Sequence, residues 1–86
     1  KVKLGVLLEN SENTVRIKSV SANSNAELAG LKDGDLLLAI DGIKLIDIED
    51  LTDKLKRLVI GDRARLIVKR GLEEMDIEIQ FMEPKQ

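Results

Sequence analysis

The run Asp35–Ile40, DLLLAI, constrains this chain more than any other segment. Leu36 to Ile40 are all apolar, with no side to turn to water, so the run fits a central strand covered on both faces. Turn signals bracket it. Lys32-Asp33-Gly34-Asp35 is a tight turn with glycine where a positive φ is easiest, and Asp41-Gly42 is a hairpin signal. A chain of 86 residues has room for one domain and one modest core, so short segments on either side must supply the covering layers.

Those segments are legible. Lys3–Glu9, KLGVLLE, is a short aliphatic strand ending in the polar cluster Asn10–Asn13. Thr14–Val20 alternates, with Val15 and Ile17 apolar and Arg16 and Lys18 charged, and pairs back on it as a hairpin. Ala26–Ala29 gives a short helix stopped by Gly30, a left-handed C-cap, with Leu31 tucking back. Ile43–Ile46 resumes as a short strand. Asp47–Val59 reads as the main helix. Ile48, Leu51, Leu55 and Leu58 share a face, and Asp47 is the N-cap with Asp50 three residues on. Acidic residues crowd its start and basic ones its end, which suits the helix dipole. Arg63–Arg70 is a strand turned by Gly71. Glu74–Phe81 alternates, with Met75, Ile77, Ile79 and Phe81 on one face. The order predicts an α+β domain: a small, partly open, mostly antiparallel β-barrel or sandwich of about six strands with two helices. Residues 1–82 are expected to form this domain and 83–86 a frayed tail.

Composition removes whole classes of function. The chain has no Cys and no His, which excludes disulfides, thiolate metal sites and the commonest general base. It has no Trp or Tyr and one Phe, Phe81, and its net charge is −2; neither favours nucleic acid. Ser11, Ser19, Ser21 and Ser24 have no oxyanion-hole loop beside them, so no catalytic residue is assigned. Asp33/Asp35 and Asp47/Asp50 read as turn and cap residues, and neither a metal nor a cofactor is expected. Arg63, Arg65, Lys69 and Arg70 read as a solvated or edge-protecting face. No apolar run approaches the roughly 18 residues of a membrane span. The chain opens on Lys rather than Met and is read as an excised domain.

Several pieces together resemble a PDZ domain of the bacterial, circularly permuted kind. They are Leu4-Gly5-Val6 and the stretch Ser24–Gly42, SNAELAGLKDGDLLLAIDG, followed by Asp50-Leu51, Gly61-Asp62 and Val68-Lys69-Arg70-Gly71. The resemblance departs at Asn25, where such domains usually carry Pro; that bears on loop stiffness. It implies a module that binds the C-terminus of a partner polypeptide by β-strand addition. The backbone of Lys3, Leu4, Gly5 and Val6 would hold the carboxylate as an anion nest, and Lys1 and Lys3 could help attract it. Val6, Leu7 and Leu8 would pair with the ligand, and Leu4, Val6, Ile48, Thr52 and Leu55 would line a pocket for an aliphatic terminal side chain. Gly30, Gly34, Asp35 and Gly42 would be structural turns. The resemblance further implies a regulatory or substrate-docking role in a larger envelope or periplasmic protein; separately, the isolated domain is expected to be a monomer. A structural or self-association domain with an unused or internally occupied groove is the alternative.

Overall fold

The computed structural model describes residues 2–83. Strands β1 (Val6–Ser11) and β2 (Thr14–Val20) form a hairpin, and helix α1 (Asn25–Ala29) follows. Strands β3 (Leu36–Ile40) and β4 (Ile43–Lys44) come next, then helix α2 (Ile48–Leu55) and the hairpin β5 (Arg63–Arg70) and β6 (Glu73–Gln80). All pairings are antiparallel, in the order β1-β2-β3-β5-β6 with β4 on β3. β1 and β6 remain edges, so the six-stranded sheet is not closed. The expected α+β class holds. No helix among the described residues is long and apolar enough to cross a membrane.

Four expected boundaries shift by more than one residue, each for a local reason. β1 begins at Val6 rather than Lys3, because the carbonyls before it bond elsewhere, as described below. Its hairpin loop shrinks to Glu12-Asn13, both at positive φ (42° and 62°), which matches the right-handed twist of the strands. β4 is cut to two residues, since the Ile46 N–H is captured by the Asp50 carboxylate at 2.9 Å as part of the α2 cap. α2 ends at Leu55 instead of Val59. The Arg57 and Leu58 N–H groups fall back to i−3 carbonyls, and the Asp62 carboxylate takes the Val59 N–H at 2.9 Å.

The central strand is not covered evenly on both faces. Leu38 is an extra residue in the β3–β5 ladder, because Leu37 pairs with Val68 and Ala39 with Ile67. This bulge resets the alternation so that Leu37 and Ile40, three apart, are both buried, while Leu36, Leu38 and Ala39 stay half-buried. The core gathers Val15, Ile17, Leu37, Ile40, Leu51, Leu66, Val68, Ile79 and Phe81. Partly buried Val6, Leu8, Ile48 and Leu55 pack at its margin. That margin, between β1 and α2, is where the candidate site lies.

Candidate functional site

The turn Lys3–Val6 is anchored from behind. The Gly5 carbonyl accepts from the Ser21 N–H at 2.9 Å, and the Leu4 carbonyl from the Ala26 N–H at 2.9 Å. The Lys3 carbonyl accepts from the Asn25 side-chain amide at 2.9 Å. In a trans peptide unit the C=O and the following N–H point in opposite directions. With three successive carbonyls turned toward residues 21–26, the N–H groups of Leu4, Gly5 and Val6 leave on the other side. Among the described residues, no hydrogen bond takes up the N–H of Leu4 or Gly5. Successive N–H groups directed this way suit an anion.

Gly5 is required at the apex for two independent reasons. Its φ is +88°, and a Cβ there would fall on the Ser24 side chain, with Ser24 Oγ at 2.8 Å. Ser24 is itself held as the N-cap of α1, where its hydroxyl accepts from the Glu27 N–H at 3.1 Å.

β1 has a partner on one side only and meets α2 across its free edge. Val6 and Leu8 alternate inward and are half-buried, as are Ile48, Thr52 and Leu55 on α2. Thr52 spends its hydroxyl on the Glu49 carbonyl at 3.1 Å, which leaves its methyl as the free part of the side chain. The side chains that β1 and α2 bring to this margin are therefore aliphatic in what they leave free. At its far end the Ile48 N–H donates to the Asn10 side-chain oxygen at 2.8 Å, tying β1 to the first turn of α2.

The remaining expected residues fall as follows. Leu4 is buried in the core at 4% exposure, so it can only floor this margin from beneath. Leu7 is 64% exposed and alternates to the opposite face from Val6 and Leu8, so it has only backbone to offer a paired strand. Lys3 is exposed, and Lys1 lies outside the described residues. Gly30, Gly34 and Gly42 sit at φ of 95°, 89° and 81°, the conformations their turns need. A separate hollow of about 440 Å³ opens behind the turn, along residues 21–25, Leu28 and Met82; α2 contributes nothing to it.

Asp35 is more than a turn residue. Its carboxylate is 1% exposed and takes a bidentate bond from Arg70, Nε at 2.8 Å and Nη2 at 2.7 Å, plus the Lys32 N–H at 2.9 Å. Burial alone would raise its pKa; the Arg70 guanidinium and the Lys32 N–H outweigh burial and hold it below the ordinary value. Arg70 therefore leaves the solvated basic face to which sequence assigned it. Asp41 does similar work near α2: it accepts from the Arg65 N–H at 2.9 Å, and Lys54 of α2 lies 3.2 Å away. The Arg65 N–H, opposed by partial burial and aided by Lys54, lowers its pKa. Sequence reasoning missed Asn25, Arg70 and Lys54 because their partners lie 22, 35 and 13 positions away, beyond any local pattern.

An open antiparallel sheet with an aliphatic edge strand, a facing helix and a glycine turn at their mouth defines a small α+β interaction module. The model of the PDZ domain family matches residues 2–81, and the chain belongs to that family. PDZ domains are binding modules without chemistry of their own. Over 72 residues the chain is 32% identical to the serine protease Do-like HtrA of Lactobacillus helveticus, a match covering 84% of this chain and 17% of that protein. Serine protease HTRA1 of Xenopus tropicalis is 34% identical over 63 residues, covering 73% and 13%. The chain thus spans less than a fifth of either relative. Among solved structures, an aminopeptidase N family protein from Idiomarina loihiensis superposes with a TM-score of 0.87 at 27% identity, covering 98% of this chain and 14% of that one. The HtrA3 PDZ domain bound to a phage-derived ligand, FGRWV, gives 0.83 at 20% identity, covering 93% and 84%; at that identity the likeness is one of fold.

Proposed function

We propose that this domain binds the free C-terminus of a partner polypeptide, taking its terminal carboxylate on the Lys3–Val6 turn and an aliphatic terminal side chain between β1 and α2. The ligand adds a strand to the open edge of β1, pairing along Val6 to Glu9. One observation carries this reading. The carbonyls of Lys3, Leu4 and Gly5 are all engaged by residues 21–26, which turns the three following N–H groups to the opposite side and supports an anion being held there. The phage-derived ligand of the HtrA3 PDZ domain, FGRWV, ends in valine, which supports the choice of side chain. The serine protease relatives, far longer than this chain, support a docking or regulatory role within a larger envelope protein.

The test is a calorimetric titration with a pentapeptide ending in valine as the free acid, against its C-terminally amidated twin. The acid should bind in the micromolar range or weaker, because an extended peptide is ordered on binding (about −8 kcal/mol at 1 μM). The amide should bind at least about tenfold more weakly, the value of one hydrogen bond to a charged group. Equal affinities would reject carboxylate recognition.

A further inference from the structure

Asn25 stands where three chain segments meet. Its Oδ1 accepts from the Met82 N–H at 3.1 Å. That bond sets the carboxamide so that Nδ2 faces the Lys3 carbonyl at 2.9 Å, with the Met82 carbonyl a longer second acceptor at 3.4 Å. Of the three carbonyls that orient the turn, those of Leu4 and Gly5 are held by backbone N–H groups; that of Lys3 is held by a side chain. The Lys3 carbonyl belongs to the same rigid peptide plane as the Leu4 N–H. Whatever fixes one fixes the other.

We infer that Asn25 is a positioning residue for anion binding at this turn: by holding the Lys3 carbonyl, it aims the Leu4 N–H at the ligand carboxylate. The inference rests on the peptide-binding reading above. Asn25 touches no ligand itself and acts through the Lys3–Leu4 peptide unit. Because its carboxamide also grips Met82, just beyond β6, the carboxylate turn is tied to the point where the chain leaves the sheet.

A purely structural role would show in stability, and one substitution separates the two. Asn25 is the first residue of α1, where proline is favoured, and Ser24 before it has φ −84° and ψ 166°, the extended conformation a following proline requires. A first-turn N–H has no partner within its helix, so Asn25→Pro forfeits no helical hydrogen bond. Asn25→Ala is the plain deletion. Both are made in the full 86-residue chain and titrated with the valine-ending acid and amide pentapeptides, with melting curves alongside. The expected result is a wild-type acid-over-amide preference that falls severalfold, up to about tenfold, in both variants. Affinity for the amide should stay at its wild-type value, and Asn25→Pro should melt at or above wild type. An acid preference kept in both variants overturns the inference and leaves carboxylate recognition standing. Parallel weakening of acid and amide also overturns it, since that is general loosening rather than misaimed donors. If wild type itself binds acid and amide equally, the peptide-carboxylate reading fails, and the inference with it.

Discussion

The two edges of the sheet are built to opposite rules. β6 pairs with β5 through eight successive residue pairs, and its solvent face carries Glu74, Asp76, Glu78 and Gln80. Arg63 and Arg65 of β5 lace across to Asp76 and Glu78, and α1 packs against the same strand. Charges and a covering helix are how natural sheets keep an edge from recruiting further strands. β1 has neither device along its first half. Val6, Leu7 and Leu8 are aliphatic, and Leu7 is 64% exposed. β1 is also the less firmly attached side. β2 meets β3 through only two paired residues, helped by the Gly34–Asp35 turn, whose N–H and carbonyl bond the two sides of Ile17 at 2.7 and 2.8 Å. An edge left unguarded on the less anchored half of a domain is where an added strand meets least resistance, and this agrees with the proposal that the ligand pairs there.

The most damaging way to break the contrast is to take the wall of the proposed groove beside β1 off the core. Leu51 and Thr52 are neighbours on α2 with different duties: Leu51 is wholly buried, while Thr52 is half-buried on the groove stripe. Leu51→Ala should cost about 2–5 kcal/mol in denaturant melts, from lost burial plus the cavity left behind. Thr52→Arg should stay within about 0.5 kcal/mol of wild type, since Arg is a good helix former. It should nonetheless change which terminal side chains bind, because it crowds the groove. A Thr52→Arg protein with an unaltered peptide profile would mean that α2 does not wall a working groove.

A somewhat smaller loss is expected where the β1–β2 hairpin joins the rest of the sheet. Arg70→Leu strips the bidentate partner from Asp35 and leaves a buried carboxylate with only the Lys32 N–H. The expected cost is about 2–4 kcal/mol, below that of a fully enclosed pair because the Arg70 side chain keeps 31% of its surface. The pH dependence has a definite sign. The folded Asp35 carboxyl lies below its unfolded value near 3.8, so its stabilisation is present above that pH and fades as pH falls through the lower folded value. In Arg70→Leu burial dominates, the folded carboxyl rises, and mild acidification should raise the melting temperature rather than lower it. Melting temperatures from pH 7 to pH 2 check this; a variant that keeps the wild-type slope would place the anchor of the junction elsewhere.

How much of this was readable beforehand follows the range of the interactions. The Asp41-Gly42 turn, the Asp47/Asp50 capping box and the alternation of β6 depend on residues within a few positions, and the sequence displays them. The end of α2 was overrun because Leu58 continues the apolar stripe, while what stops the helix is Asp62 drawing Val59 into a turn and Gly61 bonding to Phe81 across the fold. The Lys3–Val6 turn was located by its glycine and by family resemblance. What orients it, the Ser21–Ala26 segment and the Asn25 carboxamide, is joined to it only by folding. The bulges at Lys18 and Leu38 were invisible because an inserted residue looks, in sequence, like one more residue of strand.

The smallest expected effect lies on the guarded edge, and it decides what the guarding is for. Arg65, five positions before Arg70 on the same strand, also touches carboxylates: Asp76 at 3.0 Å and Glu78 at 3.6 Å. All three side chains are about half exposed, so water and salt screen the attraction, and holding long side chains in place offsets what remains. Arg65→Ala should therefore melt indistinguishably from wild type at physiological salt, with β5–β6 amide exchange unchanged. Such a result would leave the charge row on β6 a negative role, repelling strands that would otherwise pair there, and the two edges would differ in what they admit rather than in how strongly they hold. A loss approaching that of Arg70→Leu would mean instead that the cross-strand ion pairs hold β6 in place, and the contrast between the edges would become one of stability.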